Sequence, residues 1–305
     1  MKIKACYELV FYYAVFVILL PLLLLQGIWV RFKTIKLPEA TGERSGYYAS
    51  TNTSTDTSTS TSTSTSTDIN ANAKHNNETV KLLILGDSAA AGVGVNQQKQ
   101  ALAGQLPPLL AKQHSITWQL VASSGLTSSD IIKQLTLLPT QKFDLVLVSV
   151  GVNDVTHFTQ QAQWAENISH LATMLTTKFS ADKVLFSSVP PMHLFTALPQ
   201  PLRWCLGLRA SKLNALMATV LVALQQHSSV QNTDSQGVNK HTNKCAVLTV
   251  DLPFKPEYLA KDGMHPSTLA YRVWAKQAAE QFGEWFNTDH HKNKNHTNHK
   301  LYKQK

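Results

Sequence analysis

Four short segments of this chain contain side-chain types that could perform nucleophilic chemistry if they were brought together. They are Gly86-Asp87-Ser88, Ser123-Ser124-Gly125-Leu126, Gly151-Val152-Asn153-Asp154 and Asp262-Gly263-Met264-His265-Pro266. In the last segment, a carboxylate three residues before an imidazole can reach Nδ1 and fix the tautomer so that Nε2 accepts a proton. Each segment alone is also explained as an ordinary turn or helix cap, so the functional interpretation rests on their combination.

The predicted secondary structure places all four segments at one edge of a sheet. Short apolar runs rich in β-branched residues predict strands at 80–85, 116–121, 143–150, 183–189 and 246–250. Helical periodicity predicts helices at 99–113, 128–138, 161–179, 208–226 and 268–286. Alternating strands and helices favour a parallel sheet covered on both faces, in which ligands bind beyond the carboxyl ends of the strands.

Together the four segments resemble the motifs of the Ser-Gly-Asn-His (SGNH) hydrolase superfamily, also called the GDSL esterase/lipase family. The resemblance spans about residues 80–286. It departs at Ala89, because the family name implies Leu after Gly-Asp-Ser, and this casts doubt on local packing rather than on the serine. The chain has no G-x-S-x-G elbow, which argues against an α/β-hydrolase.

The resemblance implies a flavodoxin-like three-layer α/β/α fold with a five-stranded parallel sheet, and hydrolysis of acyl esters without a metal or other cofactor. By the same resemblance, Ser88 would be the nucleophile, His265 its general base and then acid, and Asp262 the orienting carboxylate. The oxyanion hole would comprise the backbone amides of Ser88 and Gly125 and the side chain of Asn153. Each such donor is worth roughly 3–4 kcal/mol in the transition state.

The residues that would contact the acyl group are left open by the sequence. Residues 190–204 follow the fourth predicted strand and are rich in apolar and aromatic side chains. They could wall an acyl pocket, cover the site as a lid or simply pack onto the sheet. The same alternatives apply to Phe158 and Trp164.

The N-terminal residues 9–30 form an apolar run interrupted only by Gln26, long enough for a bilayer core that needs about 20 residues. No small-x-small cleavage site follows, so a membrane anchor is favoured over a cleaved signal. Lys2 and Lys4 on one side against Arg31, Lys33, Lys36 and Arg44 on the other favour a cytoplasmic position for the following domain.

The remaining segments outside the domain are polar. An alternating Ser/Thr tract at 51–68 has no apolar residue to offset its ordering entropy and predicts a flexible tether. The net charge of +9 is concentrated in residues 1–36 and 288–305, which carry +4 each, so the body of the chain holds +1. This argues against nucleic-acid binding. The His- and Lys-rich end predicts a solvated tail.

The sequence therefore predicts a membrane anchor at 1–36, a disordered tether at 37–78, an esterase domain at 79–287 and a disordered tail at 288–305. Because the tether supplies none of the four segments, deletion of residues 1–70 is expected to leave an active domain. The cysteines have no metal-ligand spacing, although a Cys205–Cys245 disulfide stays open.

The predicted function is hydrolysis of lipid or lysophospholipid-like esters near the membrane, through an acyl-enzyme intermediate. One alternative is an O-acetylesterase acting on a cell-envelope carbohydrate, for which a flexible tether would extend the reach. Another is a catalytically silent binding module with the same fold, although none of Ser88, His265 and Asn153 has been lost.

Overall fold

The backbone in the computed structural model is described for residues 2–51, 79–231, 244–253 and 255–301. Side chains are described for residues 18–51, 79–226, 244–253 and 255–286. The Ser/Thr tract from residue 52 onward therefore lies outside the described residues, and its predicted flexibility stays a prediction.

A six-stranded sheet forms the centre of the fold, with the strand order β1-β3-β2-β4-β5-β6. The strands are β1 (Ser45–Tyr48), β2 (Val80–Gly86), β3 (Ile116–Ala122), β4 (Leu145–Ser149), β5 (Lys183–Ser187) and β6 (Lys244–Leu248). Strands β2 to β6 are parallel, which confirms the five predicted strands and their direction.

Helices cover both faces of the sheet. They are α1 (Lys2–Lys33), α2 (Leu102–Leu110), α3 (Ser128–Leu137), α4 (Val152–Thr156), α5 (Gln161–Thr177), α6 (Leu202–Gln231) and α7 (Thr268–Leu301). Alternate residues of β2 enter opposite cores: Leu83 and Leu85 pack with α3, α5 and α6, whereas Leu82 and Ile84 pack with α2 and α7. The domain is thus a three-layer α/β/α sandwich.

The prediction of an all-parallel sheet is wrong at one edge. Strand β1 pairs antiparallel with β3, from Ser45 opposite Gln119 to Tyr48 opposite Ile116. These residues fall in the stretch assigned to the tether, so the folded domain begins before residue 79. The sequence did not reveal β1, because a four-residue edge strand with mostly exposed side chains carries no hydrophobic period.

Helix α1 contains the whole apolar run 9–30, but the side chains of residues 9–17 lie outside the described part, so the membrane span stays a prediction. Among the described residues, one helical stretch is long and apolar enough to cross a bilayer, namely 202–226 within α6. Its Leu213 and Met217 are fully buried in the core between α6 and the sheet. Its length and composition are therefore explained by packing within the domain.

The C-terminal prediction also needs correction, because α7 continues as helix through Leu301 across most of the expected tail. Extending an existing helix costs less than starting one, and no Gly or Pro interrupts the residues after Gly283. A stretch without apolar periodicity can therefore continue a packed helix.

Candidate active site

Ser88, His265 and Asp262 form one continuous hydrogen-bonded chain. The Nε2 atom of His265 lies 2.9 Å from Ser88 Oγ, and its Nδ1 atom lies 2.5 Å from Asp262 Oδ2. Ser88 follows β2, while the other two residues lie in the loop before α7. The structure thus brings Ser88 to a histidine that is 177 positions away in the chain, and the three side chains follow the order that proton removal from a serine requires.

Asp262 is held so that it stays ionised. Its side chain is 1% exposed, and Oδ1 accepts hydrogen bonds from the backbone amides of Met264 at 3.1 Å and His265 at 3.0 Å. Burial alone would raise the pKa of Asp262. The hydrogen bonds and charge of His265, with the bond from Met264, outweigh burial and lower this pKa. An ionised Asp262 can accept a hydrogen bond from the Nδ1–H group of His265, which leaves Nε2 unprotonated and able to accept the proton of Ser88.

The two remaining site residues leave strands on either side of β2. Gly86 of β2 lies opposite Ala122 of β3 and Ser149 of β4, so the loops that carry Ser88, Gly125 and Asn153 all start at one sheet edge. Gly125 has φ 84 and no atom within 4 Å of the position a Cβ would take, so its surroundings are open. This arrangement agrees with the edge predicted from the sequence.

Asn153 connects the second and third loops. Its Nδ2 atom donates to the carbonyl oxygen of Leu126 at 2.9 Å, next to Gly125. The side-chain amide nitrogen of an asparagine has two hydrogens, so one hydrogen of Asn153 Nδ2 remains for another acceptor. Gly151, which immediately precedes α4, has φ 126, and a side chain there would meet Trp164 and Val189. The start of α4, which presents Asn153, thus requires glycine at position 151.

A buried network behind Asn153 was not predicted. Asp154 is buried and accepts hydrogen bonds from the amide of Ser128 at 2.9 Å, from its hydroxyl at 2.6 Å and from Thr159 Oγ1 at 3.1 Å. Asn167 adds a hydrogen bond to Ser128 Oγ at 2.8 Å. This network joins the Asn153 turn to the start of α3, and the only signal in the sequence was the position of Asp154 beside Asn153.

Two further residues support the turn that carries Ser88. The hydroxyl oxygen of Tyr271 in α7 lies 2.9 Å from the carbonyl oxygen of Ala89 and 2.8 Å from that of Val93, so its single proton is shared between these two acceptors. Asp87 is buried and accepts from the amide of Ala89 at 3.1 Å. Burial raises the pKa of Asp87 to about 6, although the Ala89 hydrogen bond and the charge of His265 act in the opposite direction. A tyrosine in an apolar helix gave no sign of this role.

The segment 190–204 packs against the domain and borders the catalytic loop. Its Phe195 and Leu198 are buried in the core, whereas Leu194 and Trp204 are exposed. A Cβ added at Gly263 would lie 2.9 Å from Thr196 Oγ1, which places this segment beside the loop that carries His265. The structure therefore shows a segment that packs against the domain beside this loop, and its role as the wall of an acyl pocket or as a lid stays a prediction.

Trp164 and Phe158, for which the sequence left the same alternatives open, lie in different environments. Trp164 is fully buried, and its Nε1 atom donates to the Leu213 carbonyl oxygen at 2.9 Å, so it is a core residue. Phe158 is 53% exposed and lies 5.3 Å from the Arg209 guanidinium. Only Phe158 is placed where a ligand could contact it.

The described part of the chain contains neither a metal-binding cluster nor a disulfide bond. Within it, no group of three His, Cys, Asp or Glu side chains is placed to hold a metal ion. Cys205 and Cys245 are both free thiols, and burial raises the pKa of each, that of Cys245 to about 12. The pairing left open by the sequence is absent from this structure.

Comparison with known proteins shows that the GDSL-like lipase/acylhydrolase family matches residues 84–273, a range that contains all four segments. No curated protein sequence matches the chain. Among solved structures, a psychrotrophic esterase from Pseudoalteromonas sp. is 20% identical, covers 68% of this chain and 98% of its own, and has a TM-score of 0.48. A lipase/acylhydrolase from Enterococcus faecalis is 19% identical, with coverages of 66% and 94% and a TM-score of 0.44. An acetylxylan esterase from Geobacillus stearothermophilus is 17% identical, with coverages of 67% and 94% and a TM-score of 0.43.

Proposed function

Because the chain belongs to the GDSL-like lipase/acylhydrolase family and is an ester-hydrolysing enzyme, we propose that it is a membrane-anchored serine esterase of lipid or lysophospholipid-like substrates. The observation that carries the catalytic part is the hydrogen-bonded chain from Ser88 through His265 to Asp262. The proposal that the enzyme is attached to a membrane rests on helix α1 and on its contacts with the domain.

In the proposed mechanism, His265 Nε2 takes the proton of Ser88 as Oγ attacks the ester carbonyl carbon. Charge develops on the carbonyl oxygen, and the amides of Ser88 and Gly125 with the second proton of Asn153 Nδ2 stabilise it. Collapse of this intermediate breaks the bond to the alcohol, which leaves with the proton from His265, and Ser88 remains acylated. Water, deprotonated by His265, then releases the acid and restores Ser88.

Membrane attachment is supported by the described part of α1. Ile18, Leu24, Leu25 and Phe32 are all at least 60% exposed, and their removal from water into lipid is favourable. Arg31 and Lys33 then end the apolar run, as expected where a span meets the aqueous phase. The charge count of the two flanks supports a cytoplasmic domain, and fusions to reporters that are active on only one side of the membrane would test this orientation.

Preference for lipid esters is supported by where α1 contacts the domain. Gln26 donates to the Gln200 carbonyl oxygen at 2.7 Å and accepts from the Leu202 amide at 3.1 Å. Leu23 is buried in the same core as Phe195 and Leu198. The segment 190–204 therefore contacts both the anchor helix and the loop that carries His265, which favours an ester substrate that is presented at the membrane.

The proposal is tested with the full chain in detergent and in vesicles. We expect a lysophospholipid presented in vesicles to be hydrolysed with a higher kcat/KM than p-nitrophenyl acetate or an O-acetylated sugar, and Ser88→Ala to abolish all three activities. A preference for the O-acetylated sugar would overturn the lipid assignment in favour of a carbohydrate esterase. Full activity of Ser88→Ala would overturn the mechanism.

A further inference from the structure

The residues that connect α1 to β1 cross the catalytic edge of the sheet. We call residues 37–48, which include β1 at their end, the strap, and we call residues 123–126 the oxyanion loop. Glu39 Oε1 accepts a hydrogen bond from the Ser124 amide at 2.6 Å, and Ser124 immediately precedes Gly125. A carboxylate 85 positions away in the sequence thus binds the backbone of the loop that carries a proposed oxyanion donor.

Arg44 holds this carboxylate in place and binds the start of the same loop. Its Nη1 atom lies 3.3 Å from Glu39 Oε2, and its Nη2 atom donates to the carbonyl oxygen of Ala122. Partial burial raises the pKa of Glu39, but the hydrogen bonds from Ser124 and Arg44 and the charge of Arg44 outweigh it and lower this pKa. Glu39 is therefore ionised at neutral pH and is a strong acceptor for the Ser124 amide.

The strap also binds the turn after the nucleophile. Gln98 is buried, and its Nε2 atom donates to the carbonyl oxygens of Ala40 at 3.2 Å and Ala91 at 2.9 Å. A Cβ at Gly92 would lie 2.7 Å from the Ala40 Cβ, so only glycine allows the strap to approach this closely. Neighbouring residues of the strap thus contact the oxyanion loop and the turn that follows Ser88.

From these contacts we propose that the strap positions the oxyanion hole and that Glu39 is the positioning residue that holds the Ser124-Gly125 backbone. This inference rests on the proposed function, because it assumes that the Gly125 amide binds the oxyanion. No atom lies within 4 Å of the position that a Cβ on Gly125 would take, so no side chain packs against this side of Gly125 to hold its amide in place. An oxyanion donor contributes only if it is already in position when the charge develops.

Ordinary packing of the edge strand does not explain the Glu39 contact. Pairing of β1 with β3 involves residues 45–48, and the backbone bond from the Leu120 amide to the Arg44 carbonyl oxygen at 2.7 Å extends it by one residue. None of these bonds needs a carboxylate at position 39. A positioning role predicts an effect on turnover, whereas a purely structural role predicts an effect on stability alone.

The test uses the full chain in detergent and compares Glu39→Ala, Glu39→Asp and Glu39→Gln, with Glu43→Ala as the control. Glu43 is an exposed acid of the same strap. Glutamine keeps an oxygen at the same reach, while aspartate keeps the charge on a side chain one methylene shorter. The measurements are kcat and KM for p-nitrophenyl acetate, the rate of labelling by a fluorophosphonate, and the melting temperature.

We expect Glu39→Ala and Glu39→Asp to lower kcat and the labelling rate about tenfold and to change KM by less than about twofold. This loss is smaller than that expected for removal of an oxyanion donor, because the Gly125 amide is still present but less well positioned. Glu39→Gln should retain more activity than either, and Glu43→Ala should match the wild type. Unchanged kcat and labelling in folded Glu39→Asp and Glu39→Gln, or a rise in KM alone, would overturn the inference. If Ser88→Ala abolishes activity in the same assay, the proposed function survives that result.

Discussion

The side-chain amide of Asn153 donates to the backbone carbonyl oxygen of Leu126 at 2.9 Å, which joins the loop after β4 to the loop after β3. These loops carry the two proposed oxyanion donors other than Ser88. We therefore expect Asn153→Ala to lower kcat by about a hundred- to a thousandfold with little change in KM, because an oxyanion donor acts mainly in the transition state. Steady-state kinetics on a soluble ester measure this. A rise in KM at constant kcat would identify Asn153 as a substrate contact instead.

Ser88→Ala and His265→Ala should each reduce ester hydrolysis by several orders of magnitude, and the double variant should be little slower than either, because the two residues act as one unit. The rates of p-nitrophenyl acetate hydrolysis measure this, with circular dichroism to confirm the fold. Ser211→Ala, which alters an exposed serine of α6, is the matched control and should keep wild-type activity. Multiplicative effects in the double variant would argue against a shared proton-transfer step.

Asp154→Ala should lower the free energy of unfolding by about 3 kcal/mol, because it leaves the buried amide and hydroxyl of Ser128 without their acceptor. Urea unfolding measures the change. Asp182→Ala is the control, since it removes only a partly exposed ion pair with Lys142 and should cost under about 1 kcal/mol. Equal effects of the two substitutions would mean that the buried network does not stabilise the loop.

The raised pKa of Asp87 predicts a pH dependence of stability. Its pKa is about 6 in the folded protein against 3.8 ordinarily, so the folded state binds more protons than the unfolded state between these values. The free energy of unfolding should therefore fall as pH rises from about 4 to about 6, by up to about 3 kcal/mol from this group. Asp87→Asn should remove this dependence.

Urea unfolding of the wild type and Asp87→Asn at pH values from about 4.5 to about 7.5, a range that covers most of the change, measures this difference. Asp262 does not mask it. Its lowered pKa contributes stability that is lost only as pH falls through that lowered value, below this range. Parallel pH profiles of the wild type and the variant would refute the expectation for Asp87.

Deletions at the N-terminus should separate the anchor from the strap. Removal of residues 1–36 takes away the Leu23 and Gln26 contacts but keeps Glu39, Arg44 and β1, so we expect most of the turnover of a soluble ester to remain and activity on vesicle-bound lipid to be lost. Removal of residues 1–70 also deletes β1 and the Glu39 contact with Ser124, and should lower turnover of the soluble ester. Equal activity of the two fragments would restore the expectation drawn from the sequence.

The order and spacing of residue types determined much of the domain without a structure. Five apolar runs between amphipathic stretches were enough to predict the parallel strands, because burial on both faces requires continuous β-branched segments. The four polar segments at the ends of these elements, through their resemblance to the SGNH motifs, predicted Ser88, Gly125, Asn153, Asp262 and His265 as site residues. Their types carry the chemistry, and their position at strand ends follows from the alternation alone.

Tertiary structure decided what depends on contacts between distant parts of the chain. That Ser88 lies 2.9 Å from His265, that Tyr271 holds the turn after Ser88 and that Asp154 binds Ser128 are each set by packing of separate elements. Strand β1 and Glu39 were assigned to a tether because polar, exposed residues have no periodicity. Their hydrogen bonds to β3 and Ser124 exist only once the sheet edge has formed, and a hydrogen bond across 85 positions leaves no local trace in the sequence.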